Sequence, residues 1–348
     1  MERFLRFTPL RSIPVEMTEW KDFSALVEMT DVDMFTWNKL KRPIVGLSPM
    51  ADFTDTPFCL ISKKLGAPLV YREMVSADAL VRLNEKTLGM AKFHKDERPV
   101  IQQIFGSDPD RMAEAARIIE GRFKPDGIDI NMGCPAHKIV KGFHGASLMK
   151  NSDLAANIIR SVKNAVSIPV SVKTRLGWKD DRDILEFVKV LEDAGADLIA
   201  IHGRTKEQAY SGVANWDRVG EARKNVKVPV LVNGDIVSVE TAKDALARSN
   251  ADGMLIARGA LGNPWIFQRI LSGLETGKDP GAPTMEERLN VIREHARLQV
   301  KHHGEKGLVQ LRKHFPWYFK GIKGTRALRA DLVQVSTLED LEEVLNKI

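Results

Sequence analysis

Cysteine is the scarcest reactive side chain in this sequence: 348 residues carry only two, Cys59 and Cys134. Two cysteines exclude a disulfide framework. No Cys-x-x-Cys or Cys/His spacing accompanies them, so no metal site is expected. Long apolar runs are also missing, and no stretch reaches the roughly 18 residues of a membrane span. The opening MERFLRFTPLRS has no apolar core of signal-peptide length. Together these absences point to a cytoplasmic protein with no membrane partner. Charge of one sign is in mild excess only, at a net +6. That tolerates a polyanionic partner without requiring one.

What is present is a repeating pattern. Apolar residues make up 43% of the chain, enough for a sizeable core. Eight β-branched, apolar segments recur: IVGLSPMA (44–51), LVYREMV (69–75), PVIQQIFG (99–106), GIDINMGC (127–134), PVSVKTRLG (169–177), LIAIHGRT (198–205), PVLVNGDI (229–236) and GMLIARGAL (253–261). Helix-length amphipathic stretches separate them. DPDRMAEAARIIEG and DDRDILEFVKVLEDAGAD carry apolar residues at helical spacing after acidic starts. Strand–helix alternation repeated eight times predicts an α/β fold, a (β/α)8 TIM barrel, over residues 41–275. An open doubly wound sheet is the runner-up, but no GxGxxG opens its first helix. After a Gly/Pro linker, GKDPGAPT, residues 280–348 predict a small C-terminal helical domain. Its last helix, STLEDLEEVLNKI, carries Ser336 and Glu339 as an expected capping box. Residues 1–40 match none of the barrel pattern and read as an N-terminal extension.

A barrel of this kind places its active site at the C-terminal ends of its strands. Cys134 stands there, on a Gly-Cys-Pro turn, where three roles are open: nucleophile, metal ligand or general acid. Cys59 falls inside a helical stretch and reads as core. Lys173 ends strand five and suits either a Schiff base or a fixed charge against an anionic cofactor ring. His202 heads HGRT, a place for an anion contact, a cofactor hydrogen bond or a structural histidine. Asn233-Gly234-Asp235 and Ala257-Arg258-Gly259 end strands seven and eight, the corner where this fold frequently binds phosphate. The segment 285–330 carries 11 Lys/Arg against 4 Asp/Glu, and LRKHFPWYFKGIKGTR interleaves basic with aromatic residues. That pattern suits RNA. It equally suits a basic helix whose aromatics form the core of a small domain.

Taken in order, PMADFTDTPF, REMVSADAL, QIFGSDP, DINMGCPAHKIVKGFHGASLM, SVKTRLGW, HGRT, VPVLVNGDI, ARGALGNPWIF and LRKHFPWYFKG resemble the tRNA-dihydrouridine synthases over residues 43–330. Within that family the bacterial B-like branch is the nearest match. The resemblance implies FMN as cofactor, NADPH as reductant (NADH being the alternative) and tRNA as partner, with a monomer expected. It implies reduction of the C5=C6 bond of a uridine in tRNA to 5,6-dihydrouridine, with hydride from reduced FMN to C6 and a proton from Cys134 to C5. It assigns FMN contacts to Pro49, Met50, Ala51, Gln103, Lys173, His202, Asn233, Gly234, Asp235, Ala257 and Arg258. It suggests RNA contacts at Lys138 and Arg204, and the basic tail adds Arg312, Lys313 and Lys320. The helical domain is then tRNA-binding.

The sequence departs from the family pattern at Asp52 and Ala257, where glycine is usual, at Cys59 in place of an arginine, and at Phe143-His144 within a glycine-rich loop. The alternative reading is an FMN oxidoreductase of a free pyrimidine or other small molecule, similar to dihydroorotate dehydrogenase. A Schiff-base lyase built on Lys173 and a catalytically silent RNA-binding protein stand further off.

Overall fold

The structure is a computed structural model and describes residues 35–347. Most of the expected extension over residues 1–40 lies outside the described residues. Eight strands form one closed, all-parallel barrel in sequence order: β1 (Ile44–Leu47), β2 (Leu69–Ser76), β3 (Val100–Phe105), β4 (Gly127–Met132), β5 (Val170–Arg175), β6 (Leu198–His202), β7 (Val230–Asn233) and β8 (Gly253–Ile256). β8 closes on β1 with Ile44 opposite Gly253 and Leu47 opposite Ile256. Each strand falls within its expected segment except β2, which runs one residue past it to Ser76. The polar end of a segment either closes its strand, as at Lys173, Arg175, His202 and Asn233, or runs on into the loops of the mouth.

Side chains alternate along a strand, so a closed barrel sorts them into two populations. Val45, Val70, Val100, Ile128, Ile130, Val170, Val172, Ile199 and Val230 join the apolar layer beneath the helices. Their neighbours Ile44, Leu69, Tyr71, Ile101, Leu198, Ala200, Leu231 and Leu255 form a second, interior cluster, with Trp37 packed on it. Continuing the interior parity toward the strand ends gives Glu73, Gln103, Asp129, Asn131, Ser171, Lys173, Arg175, His202 and Asn233. The interior therefore changes from apolar to polar along its length, and the polar layer opens at the mouth.

Several helices begin where a side chain supplies the missing partners. Asp108 caps Pro109–Phe123 by accepting from the N–H groups of Asp110 and Arg111. Ser238 and Thr241 form a capping box on Val239–Ser249. The expected box at the start of Leu338–Leu345 is shifted by one residue: Thr337 and Asp340 form it. Asp340 Oδ2 accepts from the backbone of Ser336 and Thr337 at 2.8 and 3.0 Å, while Ser336 Oγ accepts from Arg312 at 2.7 Å.

The C-terminal region comprises Met285–His303, Lys306–Leu311, Phe315–Tyr318, Arg326–Leu332 and Leu338–Leu345. Phe315, Tyr318 and Phe319 are fully buried in its core with Ile292, Leu311 and Leu332. The aromatics of LRKHFPWYFKG thus mostly build this core rather than offering stacking faces. Trp265, from the loop after β8, belongs to the same cluster and joins the helices to the barrel. Gln299 donates to the Asp55 carboxylate at 2.7 Å, and Arg288 donates to the Gly262 and Tyr318 carbonyls at 3.1 and 2.7 Å.

Gly262 is the tightest point of this junction. Its φ is +64°, and a Cβ there would lie 2.1 Å from the Trp317 carbonyl carbon. Gly277 shares the left-handed backbone (φ +79°) with open space around it. Gly262→Ala is expected to destabilise the protein by about 2–4 kcal/mol, combining overpacking with left-handed strain. Gly277→Ala carries the strain alone and costs about 1 kcal/mol. Urea denaturation of both variants checks the difference, and equal costs would contradict the close packing at Gly262.

Candidate active site

Cys134 lies just past β4, on a loop tied down at every turn. Asn131 Oδ1 accepts from the N–H groups of Gly133 and Cys134 at 3.2 and 2.9 Å. Arg175 Nε donates to the Gly133 carbonyl at 2.7 Å. Ala146 N donates to the Cys134 carbonyl at 3.1 Å, folding the far end of the loop back onto the turn. Gly145 permits that approach: it has φ +59°, and a Cβ would stand 2.9 Å from the Cys134 carbonyl oxygen. Burial pushes the thiol pKa up, against smaller downward effects from the Ala136 N–H, Arg175 and Lys173. A thiol so placed is protonated at neutral pH and suits a general acid better than a nucleophile.

Across the mouth, Lys173 Nζ donates to Asn233 Oδ1 at 3.0 Å, and Asn233 Nδ2 donates to the Leu255 carbonyl at 2.7 Å. The amide is thereby oriented to receive an ammonium. Burial first, and then Arg175, bring the Lys173 pKa down to about 8, against the opposing pull of Asp129 and Cys134. Arg175 is drawn down to about 10, chiefly by burial. His202 is pushed well below its ordinary value by burial, then by Arg175, Lys173, Arg204 and Arg258, and is neutral. Cations that depress one another mark a site short of negative charge.

The corner at the ends of β7 and β8 is shaped for close approach. Gly234 has φ +111°, and a Cβ there would meet the His202 ring at 2.8 Å. Asp235 is itself left-handed (φ +56°) and accepts from Arg204 at 2.7 Å and from Ala214 N at 2.8 Å. Arg258 extends from this corner with a half-exposed guanidinium 4.9 Å from the Tyr210 ring centroid. Lys173, neutral His202, exposed Arg258 and a glycine turn make a donor set suited to a phosphate-bearing anionic cofactor. Ala257 is absent from the left-handed positions, so the backbone there does not demand the usual glycine.

The remaining expected residues are placed as follows. Pro49, Met50 and Ala51 follow β1 in a tight turn, where Met50 N donates to Thr54 Oγ1 at 3.0 Å. Asp52 is left-handed (φ +66°), the conformation glycine favours, and its N–H donates to Glu73 Oε2 at 2.9 Å. Phe143 is likewise left-handed (φ +59°) and exposed. Gln103 is buried between Asp129 and Asn131. Lys138 and Lys320 are exposed. Arg204, expected at the RNA, is instead 2% exposed, with its guanidinium committed to Asp235 and to the Ser211 and Gly212 carbonyls. Arg312 is engaged with the Val335 and Gln334 carbonyls and Ser336. Lys313 is half-buried, 5.6 Å from the Phe53 ring centroid.

Sequence reasoning placed Asn131 and Arg175 at strand ends but gave them no role, and it missed Asp129. The signal was present in the strand parity. Asp129 and Asn131 alternate with isoleucines in GIDINM, and Arg175 lies two residues beyond Lys173, so all three face inward with the polar layer.

Known proteins resemble this chain over most of its length. The Dihydrouridine synthase family model matches residues 46–348. A Rickettsia prowazekii protein named "Probable tRNA-dihydrouridine synthase" is 38% identical over 307 residues, 87% of this chain and 93% of that protein. The Pseudomonas syringae pv. tomato protein named "tRNA-dihydrouridine synthase B" is 40% identical over 298 residues, 85% of this chain and 87% of that one. A solved 2-naphthoyl-CoA reductase complex superposes with a TM-score of 0.53 at 14% identity, over 66% of this chain and 50% of its own, a likeness of fold alone. The chain belongs to the dihydrouridine synthase family.

Proposed function

We propose that this enzyme reduces the C5=C6 bond of a uridine in tRNA to 5,6-dihydrouridine, using FMN, with Cys134 as the proton donor. The observation that carries the reading is a protonated, half-buried thiol sharing one barrel mouth with an anion-seeking set of cations. The chemistry that FMN supplies when bound is hydride transfer to C6 of the uracil ring, with NADPH as the reductant.

The chain's own residues do the rest. The Cys134 S–H bond breaks and its proton goes to C5, so hydrogen adds at both carbons and the thiolate is reprotonated from solvent. The raised pKa keeps the thiol protonated, and so available as a donor, at neutral pH. Lys173, fixed on Asn233, supplies a positive charge for an anionic flavin ring. His202 remains neutral and donates or accepts without adding charge. Gly234, Arg258 and the backbone beside them would hold the phosphate, while Asp235 fixes the Arg204 guanidinium. Pro49, Met50, Ala51 and Gln103 complete the FMN seat.

The tRNA reading rests on family membership and on the charge of the rim and tail. Lys138 and Lys320 are exposed, and Lys320 extends over the Trp317 ring at 4.8 Å. Residues 280–348 are assigned as the tRNA-binding helical domain and 41–275 as the catalytic barrel. The target uridine leaves its stack to enter the mouth, which a folded tRNA loop makes cheaper than a duplex does.

Two measurements test this. First, tRNA from a strain lacking the gene is incubated with protein, FMN and NADPH, and dihydrouridine is quantified by mass spectrometry. Wild type is expected to form it, and Cys134→Ala to lose about 100-fold or more in rate, the span of a general acid. A flavin-loaded wild type that forms none would overturn the reading. Second, FMN affinity is followed by flavin fluorescence from pH 7 to 9.5. Lys173 is charged below about pH 8 and neutral above it, so affinity for the anionic cofactor should fall as pH rises through that region. Lys173→Met is expected to bind roughly tenfold more weakly at pH 7, the loss of one charge-assisted hydrogen bond, and to show a flat profile. A wild-type profile as flat as the variant's would remove Lys173 from the cofactor site.

A further inference from the structure

We propose that Asp129 is a positioning residue for Cys134: its carboxylate sets the direction of a hydrogen-bond chain that runs through Gln103 and Asn131 to the Cys134 backbone. The proposal rests on the reading of Cys134 as proton donor and adds the group that seats it. It follows from what each atom can do. A carboxylate only accepts. Asp129 Oδ1 accepts from Ser171 Oγ at 2.6 Å, and Oδ2 accepts from Gln103 Nε2 at 2.6 Å. Gln103 therefore turns its Oε1 to the next link, where it accepts from Asn131 Nδ2 at 2.8 Å. Asn131 in turn presents Oδ1 to the loop and accepts from Gly133 N and Cys134 N.

Side-chain amides have nearly symmetric shapes, so the ends of such a chain decide which way they point. Here both ends run one way. Asp129 can only accept, and the two loop N–H groups can only donate. Every link is buried: Asp129 is 0% exposed, Gln103 1% and Asn131 8%. A reversed amide would set the Asn131 NH2 against the Gly133 and Cys134 N–H groups, donor against donor, in a place water does not readily relieve. Burial pushes the Asp129 carboxyl up to about 7, against Ser171, Gln103 and Lys173, so at pH 8 the carboxylate predominates.

Asparagine at position 129 keeps the shape and removes the one-way rule, because its NH2 can donate to Gln103. The chain is then directed from the loop end alone, so reversal costs less than in wild type and the Cys134 turn loses its fixed acceptor for part of the time. Adding Gln103→Glu restores direction. A carboxylate at 103 accepts from both neighbours, so Asn131 again presents Oδ1 to the loop.

The test is alkylation by iodoacetamide at pH 8, read on the Cys134 peptide by mass spectrometry. The fully buried Cys59 serves as an internal record of general loosening. In Asp129→Asn, Cys134 is expected to react at least about threefold faster than in wild type, a modest share of one hydrogen bond, with Cys59 still unlabelled. In Asp129→Asn/Gln103→Glu the rate should return to near the wild-type value. A wild-type rate in the single variant, equal acceleration in both, or Cys59 labelling in step with Cys134 would each overturn the proposal. Should Asp129→Asn not fold, Gln103→Leu cuts the chain one link nearer the mouth and is read the same way: acceleration confined to Cys134 supports it, and an unchanged rate contradicts it. No turnover is involved, so failure of the dihydrouridine assay and failure of this test are separate results.

Discussion

Closure of eight parallel strands is the constraint on which everything else here depends. A closed barrel has no edge, so every backbone group between the strands is paired and every side chain faces either the helices or the interior. The interior is narrow. Apolar residues fill one part of it around Tyr71, Ile101 and Leu231. The polar residues of the same parity are brought together where the strands end. Cys134, Lys173, His202 and Asn233 come from the ends of four consecutive strands, β4 to β7, and the curvature of the barrel turns them toward one mouth.

That confinement also sets the electrostatics. Lys173, Arg175, Arg204 and Arg258 converge on one mouth, and His202 loses its proton in their company. Asp235 answers two of them directly, pairing with the buried Arg204 at 2.7 Å and with Arg258 at 3.9 Å. Asp129 answers from deeper in the barrel. The surplus of positive charge is what an anionic cofactor and a polyanionic substrate would neutralise. The same surroundings bear on Cys134 in the opposite sense to a nucleophilic cysteine, since burial outweighs the nearby cations and keeps the proton on sulfur.

The strands were legible in the sequence because β-branched runs and their polar ends repeat eight times, and a buried parallel strand has little other way to be written. Cys134, Lys173 and His202 were legible because each is a reactive type at such an end. The connections among them were not. Gln103 meets Asp129 across 26 residues and Lys173 meets Asn233 across 60, and no local pattern announces either pair. Arg204 reads as a rim arginine until the fold shows that Asp235 and two carbonyls occupy it. Ser336 and Thr337 are equally good caps on paper, and the position of Asp340 with the reach of Arg312 decides between them. In the tail, the basic–aromatic interleaving was ambiguous by nature, because a small helical core needs the same residues that stack on bases.

The protonation state of Cys134 is the point on which the account turns. It is measured most directly as thiolate absorbance near 240 nm, recorded across neutral and alkaline pH as the difference between wild type and Cys134→Ser. The account predicts that the thiolate emerges only above the range of an unperturbed cysteine, near 8.5. A thiolate already formed at neutral pH would make Cys134 a nucleophile and contradict its role as the proton donor.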